Sequence, residues 1–181
     1  MTNVEKMKSY LRKYVFPQLY EKGFTGKWPH FRRELDDCIE LVSFDTNKWG
    51  GSFTVEVSAV FPNSDNKNFA RPTDEFPEEE LIWCTNRRYR LKGMYDGWFY
   101  YRDIYAKYVI GFGKSYYAVP ENQAADFVPT KGYKLVRKFD DETALWVCDE
   151  VNRQMENAYK WLANFEKKNL KNKNKSKGGT Q

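Results

Sequence analysis

The sequence predicts an α+β fold: a single antiparallel β-sheet of five to seven strands that begins with a meander, with the N-terminal and C-terminal helices packed on one face. Three observations favour it. Apolar residues recur at helical spacing near both ends of the chain, and the middle of the chain alternates between polar and apolar residues as strands do. Aromatic residues, which are enriched in sheets, make up 18% of the 181 residues.

The first element is an amphipathic helix predicted over residues 4–22. Its apolar residues, at helical spacing, are Val4, Met7, Leu11, Tyr14, Val15 and Leu19. Pro17 lacks an N–H group and is expected either to kink this helix or to begin a new short turn. Gly23 is expected to end the helix as a glycine C-cap, and Phe24 can then pack back on the last turn.

The next elements are three successive strands in an antiparallel meander. Residues 30–35 and 38–44 are predicted to form a hairpin around the pair Asp36-Asp37. Residues 53–61 then alternate as in a strand with one buried face, and Val60 is the single apolar residue on the polar side. The pair Gly50-Gly51 supplies the bend that precedes this strand.

The remaining elements are shorter strands and a long final helix. Strands are predicted at Leu81–Leu91, Trp98–Tyr101, within Tyr105–Val119 and at Lys131–Val136. The helix begins near three acidic residues at 140–142, where the helix dipole favours negative charge, and its apolar stripe ends at Phe165. Residues 1–165 are therefore predicted as one domain, and the Lys-rich residues 166–181 as a disordered tail.

Three short blocks resemble an uncharacterised bacterial family, domain of unknown function 4304. They are Pro17-x-Leu19-x-x-x-Gly23-Phe24, Phe31-Arg32-Arg33 and Trp49-Gly50-Gly51-Ser52-Phe53-Thr54-Val55. The run Arg87-Arg88-Tyr89-Arg90-Leu91, followed by Trp98, is similar to the family's next block. The resemblance covers about the first hundred residues, and residues 104–128 have no counterpart. It implies an α+β fold and no assigned activity.

Charge and cysteine usage bound the setting of the protein. The net charge of +5 comes from residues 166–181, because residues 1–165 hold 24 basic and 24 acidic side chains. The folded part therefore has no global attraction for nucleic acid or anionic lipid. Three scattered cysteines favour a reducing compartment, and no signal peptide or membrane span is recognisable. We predict a cytoplasmic protein with no membrane association.

No motif predicts catalysis, and we predict no catalytic residue, no metal site and no cofactor. His30 is the only histidine, and the three cysteines lack metal-ligand spacing. Gly111 and Gly113 lack the third glycine of a dinucleotide fingerprint and the opening glycine of a P-loop. Carboxylates are plentiful, but their spacing does not locate a catalytic pair.

The best candidate site is a basic and aromatic patch that could bind a carboxylate, a phosphate or a loop of a partner. Arg88 and Arg90 share a strand face by the two-residue period. The patch as predicted consists of Arg32, Arg33, Trp49, Arg88, Arg90 and Trp98. The alternative is a solvated strand face on which these arginines pair with glutamates across strands, namely Glu34, Glu40 and Glu56.

These observations give one leading function and two alternatives. The leading hypothesis is a non-catalytic protein-binding module, of which an immunity-type inhibitor of a toxin is one concrete version. The first alternative is a nucleic-acid-binding protein that uses the arginine-rich strand and the lysine tail. The second is an enzyme with an unrecognised carboxylate site. The sequence gives neither the partner nor the oligomeric state.

Overall fold

A computed structural model describes residues 1–48, 50–61, 82–93, 97–101, 109–112, 115–118 and 139–177, with side chains at all of these except 109–112, 115–118 and 170–177. The predicted strand at 131–136 lies outside the described residues. The helices are α1 (Asn3–Tyr14), α2 (Phe16–Glu21) and α3 (Asp141–Lys177). The strands are β1 (Thr25–Lys27), β2 (His30–Glu34), β3 (Ile39–Thr46), β4 (Ser52–Val60), β5 (Tyr89–Arg90), β6 (Phe99–Tyr100), β7 (Val109–Phe112) and β8 (Ser115–Ala118).

The strands form the antiparallel sheet that the sequence predicts. Its order is β1-β2-β3-β4-β5, and β6 also pairs with β4. The hairpin of β2 and β3 has the predicted position, with Glu34 opposite Ile39. Strand β1, which the sequence did not predict, extends the meander to the edge of the sheet. Strands β7 and β8 form a separate antiparallel pair within the predicted β-rich segment.

The first helical segment divides where Pro17 predicts it. Thr2 caps α1 in a reciprocal capping box with Glu5, and α1 ends at Tyr14. Pro17 then lies in the first turn of α2, where its missing N–H costs nothing. Gly23 adopts a φ of +86°, and the Phe24 N–H donates to the Leu19 carbonyl at 3.0 Å, which is the predicted glycine C-cap.

Helix α3 begins as predicted and ends later than predicted. The Thr143 N–H donates to Asp140 Oδ1 at 2.8 Å, and this hydrogen bond lowers the pKa of the Asp140 carboxyl. The helix continues to Lys177, beyond the predicted boundary at residue 165. Residues 166–177 are therefore helical, where the sequence predicted disorder. No helix in the described part of the chain has the length and apolar character needed to cross a membrane.

The chain divides into two compact units that are interleaved in sequence. Unit 1 comprises Met1–Gln18, Asp45–Val55 and Leu91–Gln154. Unit 2 comprises Leu19–Phe44, Glu56–Arg90 and Met155–Gln181. The prediction of a single domain over residues 1–165 stays a prediction.

Unit 1 has an aromatic core built on β4. The Phe53 side chain is fully buried, and its ring stacks on Phe99 of β6, with 5.2 Å between the ring centroids. The ring centroid of Tyr101 lies 6.1 Å from that of Phe53, and the Tyr101 ring meets the Phe139 ring edge-on. At the other side of this unit, the Asn152 side chain donates to the Tyr14 carbonyl at 2.9 Å and so joins α3 to the end of α1.

A buried amide of α3 binds the backbone of Gly93 in unit 1. Gln154 Oε1 accepts from the Gly93 N–H, and Gln154 Nε2 donates to the Gly93 carbonyl, both at 3.0 Å. Gly93 has a φ of +64°, and a Cβ atom there would lie 2.5 Å from the Trp98 nitrogen. The backbone of Gly93 thus approaches Trp98 too closely for any side chain.

We expect Gly93→Ala to lower the free energy of unfolding by about 3 kcal/mol or more, because the new methyl group adds a backbone clash to left-handed strain. Gly50→Ala is the matched control. Gly50 has a φ of +73° and nothing within 4 Å of its hypothetical Cβ, so only the strain of about 1 kcal/mol applies. Urea unfolding followed by circular dichroism measures both variants. Equal losses would contradict the close approach of Trp98 to Gly93.

In unit 2, α3 covers one face of the sheet, which we call the helix-covered face. Phe165 of α3 meets Phe61 edge-on at 5.6 Å, and Trp161 lies 5.8 Å from Tyr89 of β5. Leu162, which lies between Trp161 and Phe165 in the sequence, is also buried. The apolar stripe predicted for the final helix therefore does pack against strand residues.

The opposite face of the sheet in unit 2, which we call the reverse face, is not the solvated face that the alternation predicts. Val60 is fully buried and belongs to a small apolar cluster with Leu41 of β3 and Ile82. Ser58 is also fully buried, and its hydroxyl donates to the Arg87 carbonyl at 2.7 Å. The expectation of a half-buried strand is wrong for β4, because Ile82 packs on Val60 and the Arg87 backbone meets Ser58 on its polar side.

Candidate functional site

The reverse face contains a groove of about 550 Å³ near the edge of the sheet. Directly paired residues of antiparallel strands share a face, so the pairs Lys27–His30 and Arg32–Leu41 both lie on this side. Ile82, which is distant from these strands in the sequence, also lines the groove. The main lining side chains are Thr25, Lys27, His30, Arg32, Leu41 and Ile82.

The groove combines an apolar floor with a basic rim. Leu41 and Ile82 are buried, whereas Lys27 is exposed. The Lys27 ammonium makes no ion pair or hydrogen bond within the part of the chain that the structure describes. Arg32 Nη2 lies 2.9 Å from Glu34 Oε1, and Glu34 is mostly exposed. Water reaches the Glu34 carboxylate and weakens its attraction to Arg32, so an incoming carboxylate can compete for this arginine.

His30 is a half-buried part of the groove wall. Its Nδ1 lies 3.1 Å from the hydroxyl oxygen of Ser43, which is buried on β3. Such a neighbour fixes the orientation of the imidazole ring. His30 is therefore held in place by the sheet.

Arg88 and Arg90 lie farther along the reverse face and share one carboxylate. Arg88 Nη1 lies 3.1 Å from Glu56 Oε2, and Arg90 Nε lies 3.9 Å from Glu56 Oε1. The Arg88 guanidinium also lies 5.6 Å from the ring centroid of Trp83, which is 46% exposed. Two cations around one carboxylate leave a net positive charge, but neither arginine is unoccupied.

The structure therefore brings together only part of the predicted patch. Arg32, Arg88 and Arg90 share the reverse face. Arg88 and Arg90 pair across strands with Glu56, as in the alternative interpretation, whereas Arg32 pairs with Glu34 of its own strand. Arg33 points to the helix-covered face. Trp98 belongs to unit 1, and Trp49 lies outside the described residues.

A second polar cluster lies on the helix-covered face of unit 2, around a buried carboxylate. The Glu40 side chain is 2% exposed, and Arg33 Nε donates to Glu40 Oε2 at 2.5 Å. Arg33 Nη1 also donates to the Lys22 carbonyl at 2.6 Å, and the guanidinium lies 4.9 Å from the Phe24 ring centroid. Ring and backbone contacts thus hold Arg33 in place against Glu40.

Glu166 of α3 places a second carboxyl group beside Glu40. Burial and a hydrogen bond with Glu40 raise the pKa of Glu166 to about 7. Burial, with the nearby Glu166 carboxyl, raises the pKa of the Cys38 thiol to about 12. Burial also raises the pKa of Tyr159. At neutral pH, therefore, Cys38 and Tyr159 keep their protons, and neither is an activated nucleophile.

The two clusters differ in how far an incoming molecule can reach their polar groups. No group of three or more His, Cys, Asp or Glu side chains among residues 1–48, 50–61, 82–93, 97–101 and 139–169 could hold a metal ion. All three cysteines are free and buried. A substrate cannot touch the Glu40 carboxylate while its side chain stays 2% exposed. The groove, by contrast, presents cations and apolar surface to an incoming molecule.

The chain matches a known protein family over most of its length. A model of the family described as Domain of unknown function (DUF4304) matches residues 15–164. The chain belongs to this family. No curated protein and no solved structure matches the chain. The family match spans both the groove and Glu40, whereas Glu166 lies two residues beyond its end.

Sequence reasoning did not place Lys27 or Glu166 in a site and named Glu40 only as a possible partner of the patch arginines, although a signal was present for both glutamates. Lys27 lies in β1, a strand too short to recognise by alternation. Glu40 interrupts an apolar run between Ile39 and Leu41, and a lone carboxylate in such a run indicates a buried ion pair. Glu166 lies four residues after Leu162, on the apolar stripe of the last helix.

Proposed function

We propose that this DUF4304 chain is a non-catalytic protein-binding module and that its groove holds an acidic, extended segment of a partner protein. The observation that carries the proposal is the combination of two cations with the apolar floor of the groove: an exposed Lys27 that has no ion-pair partner among the described residues, and Arg32, whose partner Glu34 is mostly exposed. Charged rims around apolar floors are typical of specific binding sites.

The size of the groove suits a few side chains of a partner. Its volume of about 550 Å³ lies within the usual range of binding pockets. Carboxylates of the partner would meet Lys27 and Arg32, and an apolar side chain between them would reach Leu41 and Ile82. In an extended segment every second residue faces the groove, so two acidic residues four positions apart, with an apolar residue midway between them, present these groups together.

Strand β1 adds a second reason to favour an extended partner. It is the last strand at one end of the sheet order, and its three residues are all exposed. An edge strand offers backbone N–H and C=O groups that another strand can pair with. Strand addition at β1 would therefore deliver the side chains of the partner to the groove beside it.

An immunity-type inhibitor remains one concrete version of this function. A basic groove fits an acidic surface of a toxin, whereas a basic nuclease would require an acidic face on its inhibitor. The three free, buried cysteines support a reducing compartment, and we place the protein in the cytoplasm of a bacterial cell.

The two alternative functions receive less support. Nucleic-acid binding would use the arginines of the reverse face, but Glu56 already neutralises part of the charge of Arg88 and Arg90. A carboxylate-based enzyme would use Glu40 and Glu166, and the burial of Glu40 leaves a substrate no access to that carboxylate. Binding at the groove requires neither the displacement of Glu56 from the arginines nor the exposure of Glu40.

The test is fluorescence anisotropy with a labelled peptide of about ten residues, long enough to cross the edge of the sheet, in which every second residue is in turn Glu or Leu and the residues between them are Ser. We expect the full chain to bind this peptide and not its Lys/Leu counterpart or a single-stranded oligonucleotide. Lys27→Glu should weaken binding about tenfold, because it places repulsion at the rim.

Arg90→Glu is the matched control for this experiment. It reverses a charge on the same reverse face but at β5, the other end of the sheet order, so affinity should change less than about twofold. Equal losses in the two variants would show a general charge effect and would overturn the groove as the site. Preference for the oligonucleotide would replace the proposal with nucleic-acid binding.

A further inference from the structure

We propose that Glu40 and Glu166 share one proton, and that this shared proton attaches the last turns of α3 to strand β3. The pair lies on the helix-covered face of unit 2, away from the groove, and the inference is independent of the proposed function. Its basis is a Glu166 oxygen atom that is buried with no hydrogen-bond partner among the described residues, together with the buried Glu40 carboxylate that Arg33 holds in place.

A hydrogen bond between the two carboxyl groups requires that one of them carries a proton. Glu166 is hydrogen-bonded to Glu40, and two carboxylates cannot hydrogen-bond to each other unless one of them carries a proton. Glu166 Oε1 is buried, and no donor among the described residues reaches it. Protonation of Glu166 turns this orphaned oxygen atom, or its twin, into a donor to Glu40.

The surroundings assign the proton to Glu166. Glu40 faces the Arg33 guanidinium of β2, which stabilises its ionised form. Glu166 faces the Glu40 carboxylate and the neutral Cys38 thiol before β3, and Arg33 affects it less than burial and Glu40 do. Tyr159, one α3 residue of this cluster, is neutral at physiological pH. Glu166 is also the half-buried member of the pair, through which the proton can exchange with water.

The consequence is an attachment that weakens as pH rises. The pKa of Glu166 is raised to about 7 in the folded chain, above the ordinary value near 4.3 in an unfolded chain. The folded state therefore binds more protons between these values, and its advantage falls as pH rises through that interval. Above it, two carboxylates face one guanidinium, and the helix end is held mainly by Phe165 and its neighbours.

The first test is carboxyl ¹³C NMR of the full chain. We expect one glutamate to titrate with a midpoint near 7, and Glu166→Gln to remove that titration and no other. A chain in which every glutamate titrates near the ordinary value of about 4.3 would overturn the proposal. This measurement uses the unaltered chain, so it remains decisive if the variant does not fold.

The second test measures the attachment itself by hydrogen exchange of peptides that cover residues 165–169. After correction for the intrinsic pH effect, exchange should accelerate up to about tenfold between about pH 6 and pH 8. Glu166→Gln should abolish this excess, because its amide donates to Glu40 without titrating. Glu156→Gln is the control, since Glu156 lies on the same helix and is mostly exposed. No excess acceleration, or its persistence in Glu166→Gln, would overturn the proposal.

Discussion

Phe53→Ala is expected to lower the free energy of unfolding by about 4 kcal/mol, close to the upper range for removal of a buried aromatic ring. The Phe53 side chain is fully buried in β4 and touches the rings of Phe99 and Tyr101. Its loss leaves a cavity that strand residues cannot fill, because the backbone of β4 is paired with β6 at this position. A domain of ordinary stability would lose a large share of its free energy of unfolding.

Urea unfolding measures this loss, and Phe53→Leu is its control. Leucine keeps most of the buried volume but no ring to stack on Phe99, so we expect a cost of about 1.5 kcal/mol. A loss below about 2 kcal/mol for Phe53→Ala would show that the aromatic core of unit 1 is loosely packed. The description of an aromatic core built on β4 would then be wrong.

Arg33→Met is expected to cost about 3 kcal/mol, because it leaves the buried Glu40 carboxylate without its counterion. The Arg33 side chain is 28% exposed, which sets the expected cost at the low end for a buried pair. The loss includes the hydrogen bond to the Lys22 carbonyl and the contact with the Phe24 ring. Thermal and urea unfolding at neutral pH measure it.

A double-mutant cycle separates the charge effect from the lost packing. Adding Glu40→Gln to Arg33→Met removes the uncompensated charge, and we expect the double variant to regain at least about 1 kcal/mol over the single one. Arg90→Met is the control. Arg90 Nε lies 3.9 Å from Glu56 Oε1 and its side chain is 42% exposed, so we expect a loss of unfolding free energy below about 1 kcal/mol. Additive losses would contradict a direct ion pair between Arg33 and Glu40.

The elements that local patterns specify were predictable from the sequence. The β2–β3 hairpin follows from two alternating runs around a two-residue turn, and Gly23 and Pro17 act through their own backbone chemistry. The start of α3 follows from acidic residues that satisfy free N–H groups. Each of these signals lies within a few residues of the feature that it determines.

The sites were less predictable because they depend on contacts between distant residues. Nothing near Val60 indicates that Ile82 covers the reverse face of the sheet. The predicted boundary at residue 165 separated Glu166 from Glu40, because a lysine-rich composition outweighed a helix that has no glycine or proline before Gly178. Neighbouring Arg32 and Arg33 were assigned to one patch, although successive strand residues point to opposite faces.

The groove is the central claim, and amide chemical-shift mapping tests it most directly. The isotope-labelled full chain is titrated with the Glu/Leu peptide, and shift changes are mapped on unit 2. The account predicts changes concentrated at Thr25–Lys27, at His30–Arg32 and around Leu41 and Ile82. Changes that centre on Arg88 and Arg90, or an unchanged spectrum at saturating peptide, would contradict it.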